Sequence, residues 1–342
     1  MTVHFWVPEG TLDESFTAWH PDREPERYPS GVGHALLELY KRLEARGRDV
    51  SIGPVPPPGV ERILLHLESV WSWSSRGPND ERLAQVLKVI RRAGTVTAIR
   101  GDIPFEVSLD LPHVVEVMPN RASISRINQT WVPLLPQRGL VPRDSSRRGT
   151  VRSVGLLAYE INVPAEYRCA EWTAALAACG MELVERVYDA VGPRAPAWHD
   201  LSNIDVVLCV RHDALGSGFL RKPATKLINA WAAGAIPIIG AKEPGLVELA
   251  RPDIDSIAVE EPRDVVGALH RLRDSAFVQA LEAGGRERAA AFTVDAVLDQ
   301  WEALLDRPRS ATASLRTTAA WAAPAARAAG RRAKARLSRW RR

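Results

Sequence analysis

Arg221-Lys222-Pro223-Ala224-Thr225-Lys226-Leu227-Ile228-Asn229-Ala230-Trp231-Ala232-Ala233-Gly234-Ala235-Ile236-Pro237-Ile238-Ile239-Gly240 decides how this chain is read. The Ala-rich segment 222–233 predicts a helix, Gly234 supplies a left-handed helix end, and 236–239 is the short apolar run of a strand buried on both faces. Upstream, 205–210 is nearly all apolar and predicts a central parallel strand. Around these lie a strand at 153–157, a helix at 166–178 closed by Gly180, and strands at 183–188 and 257–259. Helices near 263–273, 275–290 and 294–306 finish the unit. The first half alternates in the same way. Its strands are predicted at 3–7, 49–52, 63–67 and 96–99, with a helix at 81–92. Another helix is opened by Gly31-Val32-Gly33, with Leu36, Leu37, Leu39, Tyr40 and Leu43 as its apolar stripe. Between the halves, Pro- and Gly-punctuated 133–143 and polar 144–149 lose all periodicity, as an interdomain connection does. The expected fold is α/β: two tandem Rossmann-like domains with doubly wound parallel sheets. The domains are 1–132 and 151–308, joined by a linker at 133–150 and followed by a basic, Ala/Arg-rich tail at 309–342.

Ligands of such sheets bind outside the carboxyl ends of the strands, so two sheets place the chemistry in the cleft between them. Pro223 suits a first helical turn, and the helix it opens presents free amides and a positive dipole flanked by Arg221, Lys222 and Lys226, with the Thr225 hydroxyl. A diphosphate or similar dianion fits there. Arg211 follows the buried strand directly and projects toward the same end. Its plainer reading is an ion pair with Asp213. Glu243, after the next strand, can accept hydrogen bonds from a ribose or sugar diol. The chain has 39 Arg and only 6 Lys, three of them between 222 and 242, which marks this region as one that wanted a compact ammonium.

This run, through Glu243-Pro244-Gly245-Leu246-Val247-Glu248-Leu249, resembles the donor-binding segment of GT-B glycosyltransferases, and the pattern Lys226, Asn229-Ala230, Gly234, Ile236-Pro237-Ile238 resembles fucosyltransferase and exostosin-like domains. Gly31-Val32-Gly33-His34, residues 136–143 and the 292–301 ending agree with it. The resemblance implies GT-B architecture, a nucleotide-diphospho-sugar on the second domain and a glycan, glycolipid or small-molecule hydroxyl acceptor on the first. It also implies Arg211, Lys222, Thr225 and Lys226 on the diphosphate, Asn229 and Glu243 on ribose or sugar, and a glycine-rich loop at Gly31 and Gly33. No cofactor beyond that co-substrate, and no metal, is implied. Where the paired-glutamate pattern of retaining members has its carboxylates, this chain has Arg221 and Asn229. His34 and Asp102 are the candidate bases for the acceptor hydroxyl; a cap neighbour and an Asx-turn are their structural readings. Trp71 and Trp73 are placed to stack on an acceptor or to pack the core. Two other functions fit the fold: a nucleotide-sugar epimerase, and a non-catalytic module that binds nucleotide or glycan.

Other classes are excluded by what is missing. The first loop has Leu36 where a dinucleotide fingerprint needs its third small residue, and no acidic residue ends the second strand. Asp253-Ile254-Asp255 reads as structural. The 8 histidines lack metal-site spacing, and 3 cysteines without metal spacing suit a reducing cytoplasm. No apolar run approaches a membrane span of roughly 18 residues, and the N-terminus lacks the pattern of a signal peptide. The tail holds ten of the 45 basic residues and no acidic one, so the first 308 residues carry 35 basic against 41 acidic and the net +4 belongs to the tail. Nucleic acid is therefore a poor partner for the body. The tail reads either as a basic amphipathic helix lying on an anionic inner membrane face or as a solvated extension.

Overall fold

A computed structural model describes residues 2–72, 77–101, 113–188, 197–211 and 222–307 of the 342-residue chain. In chain order, the first half contains β1 (Val3–Trp6), a π-turn (Gly33–Leu37) running into α1 (Glu38–Ala45), β2 (Val50–Gly53), β3 (Arg62–His66), the short hairpin β4 (Trp71–Ser72) and β5 (Gly77–Pro78), α2 (Asp80–Arg92), β6 (Thr95–Ile99), β7 (Val114–Met118) and β8 (Gln129–Trp131). The second half contains β9 (Ser153–Tyr159), α3 (Ala170–Ala178), β10 (Glu182–Tyr188), β11 (Val206–Cys209), α4 (Thr225–Ala233), β12 (Ile236–Gly240), α5 (Pro244–Val247), β13 (Ile257–Val259), α6 (Val265–Arg271), α7 (Ser275–Ala289) and α8 (Val294–Leu305).

Besides the two-stranded β4-β5 hairpin, the described residues form two large sheets, in the orders β2-β1-β3-β6-β7-β8 and β10-β9-β11-β12-β13. Every pairing in both is parallel. This is the doubly wound α/β arrangement expected, with apolar cores on both faces of each sheet. The expected stripe of Leu36, Leu37, Leu39, Tyr40 and Leu43 is buried against the first sheet. Gly234 ends α4 at φ +73, the left-handed cap its position predicted.

Three local readings are corrected. The segment 222–233 is helical only from Thr225, because Lys222 and Pro223 precede the N-cap Ala224 and lie outside the helix. The segment 166–178 is split: Ala165–Arg168 makes a 3-10 turn, Cys169 is extended, and α3 begins at Ala170. β7 and β8 were not foreseen. Glu116 interrupts the apolar run of β7, and it is buried there because Arg100 and Gln129 reach it at 3.4 and 2.9 Å.

The connection at 133–150 is anchored at both ends by a buried arginine. Arg138 donates to the carbonyls of Pro25, Tyr28 and Gly33 at 2.7, 2.8 and 3.3 Å, which ties it to the first domain. Arg143 bonds Asp205 at 2.6 Å and Glu282 at 2.5 Å, which ties it to the second. The bend between them begins at Gly139, φ +62. The chain crosses back once more: Val297, Leu298, Trp301, Leu304 and Leu305 of α8 fill the core of the first sheet. Arg46 fastens the same helix through Asp295, Asp299 and Glu302 at 2.6–3.0 Å.

Candidate functional site

The carboxyl end of the second sheet gathers most of the expected anion-binding residues. β11 delivers Arg211, and the residues just before α4 deliver Lys222. Thr225 is the first helical residue and Lys226 the second. The N-cap Ala224 has no side chain to occupy the leading amides of α4, so they face the site with the positive end of the helix dipole. Lys226 is half-buried and has no ion pair among the described residues. Burial first, and then the positive charges of Arg211 and Lys222, pull its ammonium down from 10.5 to about 8. A buried ammonium beside two further cations is a perturbed group of the kind that collects at functional sites.

Two expected roles take a different form. Glu243, 3% exposed, is paired with Arg211: it accepts from the guanidinium and, at 3.1 Å, from the Arg211 backbone N–H. It therefore orients Arg211. Asn229 is buried on α4 with its carbonyl oxygen accepting from the Gln137 backbone at 2.8 Å, so that oxygen secures the linker. Arg221, Asp213 and Trp73 lie outside the described residues. Asp255 is fully buried and accepts from the Arg251 backbone and side chain at 2.8 Å, while Asp253 pairs with Arg271 at 2.8 Å.

In the first domain His34 sits in the π-turn with its Nδ1 3.2 Å from Oε2 of Glu38, a fully buried carboxylate also reached by Arg42 at 3.3 Å. Neither ring nitrogen of His34 has a hydrogen-bond partner among the described residues. Asp102, the second candidate base, lies outside those residues. Gly31 and Gly33 do not form an open phosphate cradle. A Cβ at Gly31 would strike the Glu68 carboxylate, and one at Gly33 the Tyr28 carbonyl, so each is where another group must come close. Trp71 is 9% exposed and packs with the core on the outer face of the first sheet.

The residues that join the two halves of the site carry no motif of their own. The Asn120 side chain, after β7, donates to the carbonyl of Lys222 at 3.2 Å and accepts from Ser123 N–H at 2.9 Å. Glu248, just past α5, accepts from the backbone N–H groups of Arg121 and Ala122, each at 2.9 Å. Gly245 permits this junction, since a Cβ there would approach the Lys222 carbonyl to 2.8 Å and the Asn120 Cβ to 3.2 Å. Glu68, beyond β3, raises the Tyr159 phenol of the second domain, after burial, by proximity across the cleft. The signal that could have found Asn120 was the unrecognised strand before it.

No protein-family model and no curated protein matches the sequence. Solved structures do. Anabaena HepE in complex with UDP and glucose superposes with a TM-score of 0.54 at 12% identity, covering 90% of this chain and 99% of that one. AviGT4, a glycosyltransferase involved in avilamycin A biosynthesis, gives 0.52 at 13% identity over 88% and 96%. At such identities the likeness is one of fold, and it covers both domains. The chain has the GT-B architecture: two facing Rossmann-like domains with a cleft between them.

Proposed function

We propose that the chain is a glycosyltransferase of hexosyltransferase type, moving a sugar from a nucleotide-diphospho-sugar to a hydroxyl acceptor in cell-surface glycan or glycolipid synthesis. The observation that carries this reading is Lys226, an ammonium depressed to about 8 between Arg211 and Lys222 at an uncapped helix start. As the glycosidic bond of the donor breaks, negative charge accumulates on the leaving diphosphate, and cations already fixed in place lower that barrier. These side chains and the dipole of α4 receive the charge, so the transfer is read as metal-independent. The similarity to HepE, solved with UDP and glucose and with UDP-glucose, supports a nucleotide-sugar as the co-substrate. The first domain carries the acceptor, and the bend at Gly139 lets the cleft close on both and exclude water.

The test is calorimetric titration of the protein with UDP, GDP, ADP, TDP and CMP, repeated on Lys226→Ala. Micromolar binding of one nucleoside diphosphate, weakened at least about a hundredfold in the variant, supports the reading. The absence of binding by all five nucleotides overturns it.

We read the site of action as cytoplasmic, at the inner face of a membrane. No helix among the described residues is long and apolar enough to cross one, and the contact is assigned to the ten cations of the tail. Co-sedimentation of the full chain with phosphatidylglycerol vesicles, but not with phosphatidylcholine vesicles, is the expected result.

A further inference from the structure

The first domain contains a cavity of about 250 Å³ at the carboxyl end of its central strands, lined by Tyr28, Ser30, Glu68, Ser69, Trp71 and Arg82 among others. It is a built site. Ser69 is 5% exposed, and its hydroxyl oxygen is buried without a hydrogen-bond partner among the described residues. That oxygen is costly to leave unpaired unless a ligand meets it. Tyr28 holds φ +54, a conformation that costs a non-glycine residue energy and collects at functional sites. It is fixed there by Arg138 on its carbonyl at 2.8 Å and by Phe16 and Trp19, which meet its ring edge-on at 5.7 and 5.0 Å. Both glycines of the first loop serve this cavity: Gly31 leaves room for the Glu68 carboxylate and Gly33 for the Tyr28 carbonyl. His34, the expected base, is not among the residues lining it.

The wall chemistry selects a ligand class. Glu68 only accepts hydrogen bonds, Arg82 only donates them, and Ser69 does both, while Trp71 and Tyr28 add aromatic surface. Hydroxyl groups satisfy all three kinds of partner at once. Among the described lining residues one carboxylate and one guanidinium balance in charge, which favours a neutral ligand over an acidic one. The volume lies below the roughly 300–1,000 Å³ of pockets for drug-sized ligands, so it takes one ring rather than a chain of them. Glu68 also lies close enough to Tyr159 of the second domain to raise its phenol after burial does.

We propose that this cavity binds the acceptor end of the substrate, a single neutral polyhydroxylated ring, with Glu68 and Arg82 as the residues that determine its specificity. The proposal rests on the glycosyltransferase reading for its meaning but not for its measurement. Saturation-transfer NMR titrations of the full chain would use methyl glucoside, methyl galactoside, methyl mannoside and, as an acidic control, methyl glucuronide, with nucleotide titration on the same samples. The expected result is binding of at least one neutral glycoside, with affinity about tenfold lower in Glu68→Gln and lowered also in Arg82→Ala, and nucleotide binding unchanged in both. Arg82 is solvent-exposed, so its variant keeps the test sound if Glu68→Gln disturbs folding. Neutral glycosides that fail to bind, that bind equally to both variants, or that bind more weakly than the glucuronide overturn the proposal. Failure of the nucleotides alone counts against the glycosyltransferase reading and leaves the cavity standing.

Discussion

The side-chain amide of Asn120, from the first domain, donates a hydrogen bond 3.2 Å long to the carbonyl of Lys222, from the second. Lys222 leads directly into the uncapped start of α4, so the first domain holds the backbone that presents the anion site. Gly245 and Glu248 complete the junction from the other side. Under the proposed function, closure of the cleft and alignment of the donor would be one event. Asn120→Ala would leave the Lys222 carbonyl and the Ser123 N–H without their partner, a cost of about 1–3 kcal/mol. The expected outcome is a kcat lowered about tenfold or more with nucleotide affinity changed less than threefold, read by steady-state kinetics beside calorimetry. Equal losses in both would make Asn120 a plain binding residue.

The depressed ammonium of Lys226 gives a proton-linkage prediction. In the free protein its pKa is about 8, below the ordinary 10.5. Folding therefore holds its charge at a cost below about pH 8, and that cost is relieved as pH rises toward 10.5. A bound diphosphate reverses the balance by favouring the charged form, so binding near pH 8.5 takes up a proton. Calorimetry in buffers of different ionisation enthalpy should detect this uptake in the native protein and lose it in Lys226→Met. Binding strength should fall as pH rises through about 8. A pH-independent affinity between 7 and 9 would remove Lys226 from the diphosphate.

Asp205 supports a prediction about stability. It is fully buried and accepts from Arg143 at 2.6 Å, Arg147 at 2.5 Å, and the backbone N–H groups of Arg152 and Ser153 at 2.8 and 3.0 Å. Burial pushes its carboxyl up, but the bonds from Arg147, the Arg152 backbone and Arg143 outweigh that and hold it at about 2. Because the folded value lies below the unfolded one, this stabilisation is present above the ordinary carboxylate range. It is lost as pH falls from about 4 to about 2. Asp205→Ala strands two arginines and should cost about 3–5 kcal/mol in urea denaturation. It should also flatten the dependence of stability on pH across that window.

What could be read from the sequence, and what could not, follows from the range of each signal. Helix–strand alternation, Gly234 as a helix end and the apolar stripe of α1 are local patterns, and they are enough for both sheets and for the α4–β12 segment. Glu116 lies inside a strand only because Arg100, just past the end of β6, neutralises it, so β7 could not be recognised from its own residues. The same applies to function. Lys222, Thr225 and Lys226 share one stretch of chain and were seen together. Glu68 meets Gly31 and Tyr159, and Asn120 meets Lys222, only after the domains have folded and closed. Asn229 is legible as part of a motif, whereas the bond its carbonyl oxygen accepts from Gln137 in the linker is not.

The return of α8 to the first domain carries the last prediction. In the chain this helix follows the second domain, yet Trp301 is 1% exposed within the core of the first sheet, and its indole N–H donates to the Pro133 carbonyl at 3.2 Å. Removing so large a buried ring leaves a cavity, and such truncations cost about 3–5 kcal/mol. Trp301→Ala should therefore lower the stability of the first domain by that amount. Trp301→Phe, which keeps most of the ring and loses the hydrogen bond, should cost about 1–2 kcal/mol. The two domains can be told apart by hydrogen exchange: faster exchange is expected in β1, β3 and α1, while β11 and β12 remain protected. If the loss of protection appeared in β11 and β12 instead, α8 would have to belong energetically to the second domain. The cleft would then be held by the linker alone rather than by two crossings of the chain.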